Sequence, residues 1–190
     1  MSGAIALLGT SADPPTCGHQ ALLEGLLSRY PQVASWASDN PMKQHGAPLA
    51  ERTALLAALV QGINNPRLEM VQELSSPWAI TTLERAAARW PGAALIFVVG
   101  SDLAAQIPHW KRAEAVLERC RLAIVPRRGW PLQARDLAAL EALGAQLELL
   151  PLAVPASASS ALRRRPDPAQ IPASVWPVLL QHNLYGLPQP

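Results

Sequence analysis

The chain has 190 residues and a mass of 20.4 kDa, the size of one domain with room for a packed core. Its 49% hydrophobic and 16% charged content excludes charge-driven disorder, and a net charge of +2 argues against a non-specific nucleic-acid binder. No apolar run approaches the about 18 residues of a membrane span, Met1–Gly9 lacks the features of a signal peptide, and Cys17 and Cys120 stand far apart without disulfide or zinc spacing, so a single cytoplasmic domain with no membrane or nucleic-acid partner is expected.

Short apolar runs alternate with helical periodicity, the pattern of a parallel sheet with crossover helices. A first strand is expected over Ala4–Leu8, then a turn rich in Gly, Thr, Asp and Pro, and a helix over 18–28 with Ala21, Leu22, Leu26 and Leu27 on one side. A second strand follows near Val33–Ala37, a loop over Asp39–Pro48, and an Ala/Leu-rich helix over Leu49–Val60. Leu68–Leu74 reads as a third strand and Ile80–Arg89 as a helix stopped by Pro91-Gly92. Ala94–Val99 is apolar at every position, as suits a central parallel strand buried on both faces. A helix at Arg112–Arg119, a strand at Leu122–Val125, a helix at Leu132–Leu143 and a strand at Leu147–Leu150 complete the alternation. Beyond Pro151 come a small-residue stretch, Ala156–Ala161, the run Arg163-Arg164-Arg165 and an amphipathic segment over Pro172–His182.

In such sheets ligands lie beyond the carboxyl ends of the strands, where helix starts present N–H groups to anions. The segment Gly9-Thr10-Ser11-Ala12-Asp13-Pro14-Pro15-Thr16-Cys17-Gly18-His19 occupies that place after the first strand. It is neither a Walker loop nor a GxGxxG fingerprint. It resembles the T/H-x-G-H signature of the nucleotidylyltransferase superfamily, in Thr16-Cys17-Gly18-His19. Further matches run in order along the chain: Pro41-Met42-Lys43, Arg52, Ile80-Thr81-Thr82-Leu83, Gly100-Ser101-Asp102 with Trp110 eight residues past the Asp, Val125-Pro126-Arg127, Ser159-Ser160-Ala161-Leu162-Arg163 and His182-Asn183-Leu184-Tyr185. Together they resemble the nicotinate-mononucleotide adenylyltransferases.

That resemblance implies a Rossmann-like α/β fold, a central parallel sheet with helices on both faces and a small C-terminal helical segment. It implies adenylyl transfer from ATP to nicotinate mononucleotide, giving nicotinate adenine dinucleotide and pyrophosphate in NAD biosynthesis. Thr16, His19 and Arg163 would be catalytic. Gly9, Thr10, Ser11, Gly18, Gly100, Asp102, Ser159 and Ser160 would bind ATP, with Ser159 and Ser160 at a late helix start gripping the pyrophosphate. Lys43, Arg52, Thr82 and Trp110 would meet the acceptor. Mg²⁺ is expected to be held by the triphosphate and water, with no protein metal site; self-association stays open. Asp102 reads equally as a helix cap, and Lys43 and Arg52 as ordinary loop and helix charges.

Several positions depart from the family pattern: Thr16 for His, Ala12 for Phe, Met42 for the His of P-H-K, Pro77-Trp78-Ala79 for S-Y-T, and Ala158 for the first Ser of the phosphate motif. They motivate two competing readings: transfer to another phosphorylated acceptor, nicotinamide mononucleotide or phosphopantetheine, or a non-catalytic relative that binds nucleotide. The bases, 14 Arg and 2 Lys, are unevenly placed: residues 1–100 hold six bases and seven acids, residues 101–190 ten bases and seven acids. The late surplus falls in or beside the motif segments expected to face phosphates.

Overall fold

The computed structural model describes residues 3–41, 43–155 and 159–187. Among them six strands form one wholly parallel sheet in the order β3-β2-β1-β4-β5-β6, built from β1 (Ala4–Thr10), β2 (Gln32–Ala37), β3 (Leu68–Met70), β4 (Ala94–Gly100), β5 (Arg121–Val125) and β6 (Gln146–Leu149). Helices α1 (Cys17–Leu27), α2 (Leu49–Ile63), α3 (Ala79–Arg89), α4 (Ala113–Arg119) and α5 (Ala134–Ala142) make the crossovers, and α6 (Ser159–Arg164) and α7 (Trp176–Gln181) follow the last strand.

Strand alternation divides the core. Ala6 and Leu8 of β1 pack with Leu23, Leu26 and Leu27 of α1, Leu55, Leu56 and Leu59 of α2, Leu162 of α6 and Leu179 of α7. Ile5 and Leu7 face the other way, onto Ile80, Leu83 and Ala86 of α3, Val116 and Leu117 of α4 and Leu140 of α5. Because β1 is flanked by β2 and β4, each with its own crossover direction, the chain reverses between β1 and β4. Their carboxyl ends therefore open a crevice at the topological switch point. This is the parallel sheet with crossover helices expected from the alternation of elements, and the Rossmann-like architecture that the family resemblance implies.

The expected third strand is shorter than Leu68–Leu74. Its ladder ends with the bond from Val71 N to Ser35 O at 2.9 Å, and Gln72–Leu74 form a 3₁₀ turn. The Gln72 side chain takes over the pairing: its Oε1 accepts from Ala37 N at 2.9 Å and its Nε2 donates to Ala37 O at 2.8 Å. A side-chain amide thus satisfies the backbone groups at the end of β2, a substitution that residue periodicity does not reveal. The C-terminal amphipathic segment is helical only over Trp176–Gln181. Met42 and Ala156–Ala158, with two of the family departures among them, lie outside the described residues.

Candidate active site

The loop after β1 is wired by its own side chains. Thr16 caps α1 from an extended backbone, and its Oγ1 accepts from Gly18 N at 3.2 Å. His19, one turn into the helix, turns its ring back so that Nδ1 accepts from Thr16 N at 3.0 Å, with Thr16 Oγ1 2.9 Å away. An Nδ1 that receives a backbone N–H carries no proton of its own, so neutral His19 holds its proton on Nε2. Burial pushes the His19 pKa down to about 4, with Arg127 and then Lys43 adding positive potential in the same direction. The ring is therefore neutral at pH 7 and presents Nε2–H as a donor. The same Thr16 hydroxyl that caps the helix orients His19, so a small β-branched residue suffices at the first position of the motif.

Three glycines of the expected nucleotide site have other immediate neighbours. A Cβ on Gly9 would lie 2.8 Å from the Trp36 indole, one on Gly18 would lie 2.7 Å from Pro155 O, and one on Gly100 would lie 2.3 Å from Asp102 Oδ1 and 2.6 Å from Arg127 Cδ. A side chain at Gly9 would collide with an indole and one at Gly18 with another stretch of backbone. Thr10 Oγ1 accepts from Ala12 N at 3.3 Å, and Ser11 O accepts from Arg52 Nη1 at 2.9 Å.

On the β4 side, Ser101 fastens the loop after β5. Its Oγ donates to Trp130 O at 2.7 Å and accepts from Arg127 N at 2.8 Å. Arg127 Nη1 then donates to Asp102 Oδ2 at 3.0 Å. Asp102 Oδ1 is buried without a hydrogen-bond partner; a lone-pair-rich oxygen so placed suits a ligand hydroxyl, because leaving it unpaired costs about 1–3 kcal/mol. Trp110 is half-buried with Phe97 meeting it edge to face at 6.2 Å, and Phe97 in turn contacts Trp36. Trp78, 47% exposed at the start of α3, carries the Lys111 ammonium 4.7 Å from its ring centroid.

Two residues expected to meet the acceptor are engaged within the fold. Arg52 is 1% exposed, and its guanidinium donates to Ala47 O, Ser11 O and Ser38 O and to Asp39 Oδ1 at 2.7–3.0 Å. Those bonds occupy most of its donors, so it braces the loops after β1 and β2 rather than reaching a phosphate. Thr82, 2% exposed, donates its hydroxyl to Leu74 O at 2.8 Å and closes the turn before α3. Lys43 is exposed and available. Ser159 Oγ donates to Pro14 O at 2.9 Å, Ser160 is exposed, and Arg163 Nη1 donates to Asp13 O at 2.9 Å. The described part of α6 spans Ser159–Arg164, six residues.

Asp13, Arg127 and Tyr185 were not among the expected site residues. Asp13 is 1% exposed and accepts from Gly46 N at 2.7 Å, Ala47 N at 3.1 Å and Tyr185 Oη at 2.7 Å. The signals were present, since each belongs to a motif already noted, but partners up to 172 residues apart do not show in sequence spacing.

A Rossmann-like sheet with a T-x-G-H loop at its switch point defines a nucleotidyltransferase, and residues 7–165 match the cytidylyltransferase-like family. A probable nicotinate-nucleotide adenylyltransferase of Synechocystis sp. is 37% identical over 95% of this chain and 98% of its own length. Another, from Cereibacter sphaeroides, is 31% identical over 69% of this chain and 71% of its own. The chain belongs to the nicotinate-nucleotide adenylyltransferase family. Its fold also matches that of the Plasmodium falciparum nicotinic acid mononucleotide adenylyltransferase complexed with NaAD, with a TM-score of 0.75 at 17% identity over 97% of this chain and 98% of that one. Among the described residues no helix is long and apolar enough to cross a membrane.

Proposed function

We propose that the protein transfers the adenylyl group of ATP to nicotinate mononucleotide, forming nicotinate adenine dinucleotide and releasing pyrophosphate. The observation that carries this reading is the His19 ring at the switch point, fixed by Thr16 so that its Nε2–H is presented as a donor. In the reaction the acceptor phosphate oxygen attacks the α-phosphorus of ATP while the bond to the pyrophosphate oxygen breaks. No covalent enzyme intermediate is required, so the protein's work is to align two anions and to stabilise charge as it moves to the leaving group.

His19 supplies a donor whose direction is preset by Thr16, so no reorganisation is needed as charge develops. Arg163 meets the leaving pyrophosphate, with a planar fork suited to two oxygens at once, and Ser160 lies beside it. Asp102 Oδ1 accepts a ribose hydroxyl. Lys43 meets the acceptor phosphate, Trp110 lines the pyridine ring, and Trp78 with Lys111 borders the same edge. Arg52 and Thr82 act one step back, by holding the loops that carry these groups. Among the described residues no group of three or more His, Cys, Asp or Glu side chains could hold a metal ion. Magnesium is assigned to the incoming ATP as part of the substrate, and no protein step is routed through it. An enzyme using these substrates belongs in the cytoplasm.

Incubation with ATP, Mg²⁺ and, separately, nicotinate mononucleotide, nicotinamide mononucleotide and phosphopantetheine tests the reading. The expected result is fastest pyrophosphate release with nicotinate mononucleotide. A faster rate with either of the others would reassign the acceptor, and tight ATP binding without turnover on any of them would leave only a nucleotide-binding relative.

A further inference from the structure

The Asp13 carboxylate draws together parts of the chain that are distant in sequence. Gly46 and Ala47, in the loop after β2, give it two backbone N–H groups, and Tyr185, close to the C-terminus, gives it a hydroxyl. Arg163 Nη1 lies 3.4 Å from Oδ2 while donating to the Asp13 carbonyl, and His45 Nδ1 stands 3.9 Å away. No described residue takes a hydrogen bond from Arg163 Nε or Nη2. One end of the guanidinium is thus held by the loop after β1, and the rest is left to meet a ligand.

Two features show that this arrangement is built rather than incidental. Tyr185 has a left-handed backbone, φ +57°, with Asn183 also at φ +50°; a bulky residue there is sparsely populated and persists only where its surroundings over-determine it. Its bond to Asp13 supplies such a determinant, and burial, followed by the neighbouring carboxylate, raises the phenol pKa so that it stays protonated and donating. Gly46 is the second feature. A Cβ on it would lie 2.4 Å from Arg163 Cδ and 3.2 Å from Tyr185 Cε1, so both side chains rest directly on the Gly46 backbone.

We propose that Asp13, Tyr185 and Gly46 form a latch that closes the C-terminal segment onto the phosphate loop and fixes the direction of the Arg163 guanidinium. They are positioning residues, acting through Arg163 on the leaving pyrophosphate, and the inference rests on the adenylyl-transfer reading for its kinetic consequence. The latch also couples Arg163 to the loop that carries Lys43, so groups meeting the two substrates are fastened to one carboxylate.

The test uses the full chain and its Y185F, R163A and Y185F/R163A variants, with Y185F removing a single hydroxyl. At saturating ATP and nicotinate mononucleotide, Y185F is expected to lower kcat by about tenfold, with KM for the acceptor within about twofold and Tm lowered by a few degrees through loss of one hydrogen bond to a buried carboxylate. R163A should lower kcat by about a hundredfold, and the double variant should be no worse than R163A alone, because the hydroxyl acts through a side chain already removed. G46A, which pushes the Arg163 stem aside, should reproduce the kcat loss. Wild-type kcat in Y185F, or fully additive losses in the double variant, overturns the proposal. Amide hydrogen exchange at Gly46 and Ala47 gives a readout independent of turnover: Y185F should speed it, and unchanged exchange also overturns the latch. If the wild-type protein releases no pyrophosphate with nicotinate mononucleotide, the acceptor reading fails and the exchange measurement alone decides the latch.

Discussion

The two banks of the switch-point crevice are built differently. On the β1 bank, the phosphate loop is wired from within: Thr16 caps α1 and orients His19, and the Asp13 carboxylate is enclosed by N–H and O–H donors, with His45 Nε2 beside it buried and unpaired among the described residues. The β4 bank is more open. Asp102 keeps a buried oxygen unpaired, Arg127 lies half in solvent, and Trp78 stands exposed beside Lys111. A preset bank suits chemistry on phosphate, where donors must already point at the place charge will develop. An open bank suits recognition, since its unpaired groups discriminate between ligands by whether they are completed.

Substitutions can break this contrast. The largest expected effect is at the preset bank: His19→Ala should lower kcat by about a hundredfold or more with unchanged circular dichroism, measured by pyrophosphate release. On the open bank, Asp102→Ala should lower kcat/KM by about tenfold to a hundredfold through loss of one ligand hydrogen bond to a charged group. Near-normal kinetics there would make Asp102 only the partner of Arg127. Arg52 and Lys43 separate bracing from binding. Arg52→Ala leaves three loop carbonyls without their donor and should destabilise the fold by about 3 kcal/mol or more, seen in chemical denaturation. Lys43→Ala should leave stability unchanged and raise KM for the acceptor severalfold.

A smaller effect concerns protons. His19, with a pKa pushed down to about 4, is protonated in the unfolded chain near the ordinary value of about 6.5. Between those values the unfolded state binds more protons, so stability rises with pH across the window and is lost as pH falls towards 4. An NMR titration of the free protein should show one imidazole, assigned to His19 by its absence from the His19→Ala variant, titrating well below the ordinary value of about 6.5. Binding of ATP should raise that value, because the phosphates favour the charged ring.

Residue patterns gave sound access to the fold where each element carries its own period. The unbroken apolar run of β4, the amphipathic α3 and the Pro/Gly punctuation between them are local properties, and the parallel class of the sheet followed from the alternation. The length of β3 was not legible, because the Gln72 amide replaces the ladder beside Ala37. At the site, the motif residues were legible but their tasks were only partly so. Sequence distinguishes neither an arginine that binds phosphate from Arg52, which braces two loops, nor a glycine that admits a ligand from Gly9, which lies under Trp36. Asp13 was overlooked for the complementary reason: its importance lies wholly in contacts made across the fold.

Direct transfer at this crevice is tested most closely by running the reaction backwards with labelled pyrophosphate. Label should enter ATP when nicotinate adenine dinucleotide is present, and not when enzyme, ATP and Mg²⁺ are incubated alone. Label entering ATP without the dinucleotide would reveal an adenylyl-enzyme intermediate, and no label with it would remove nicotinate mononucleotide as the acceptor; either result contradicts the account.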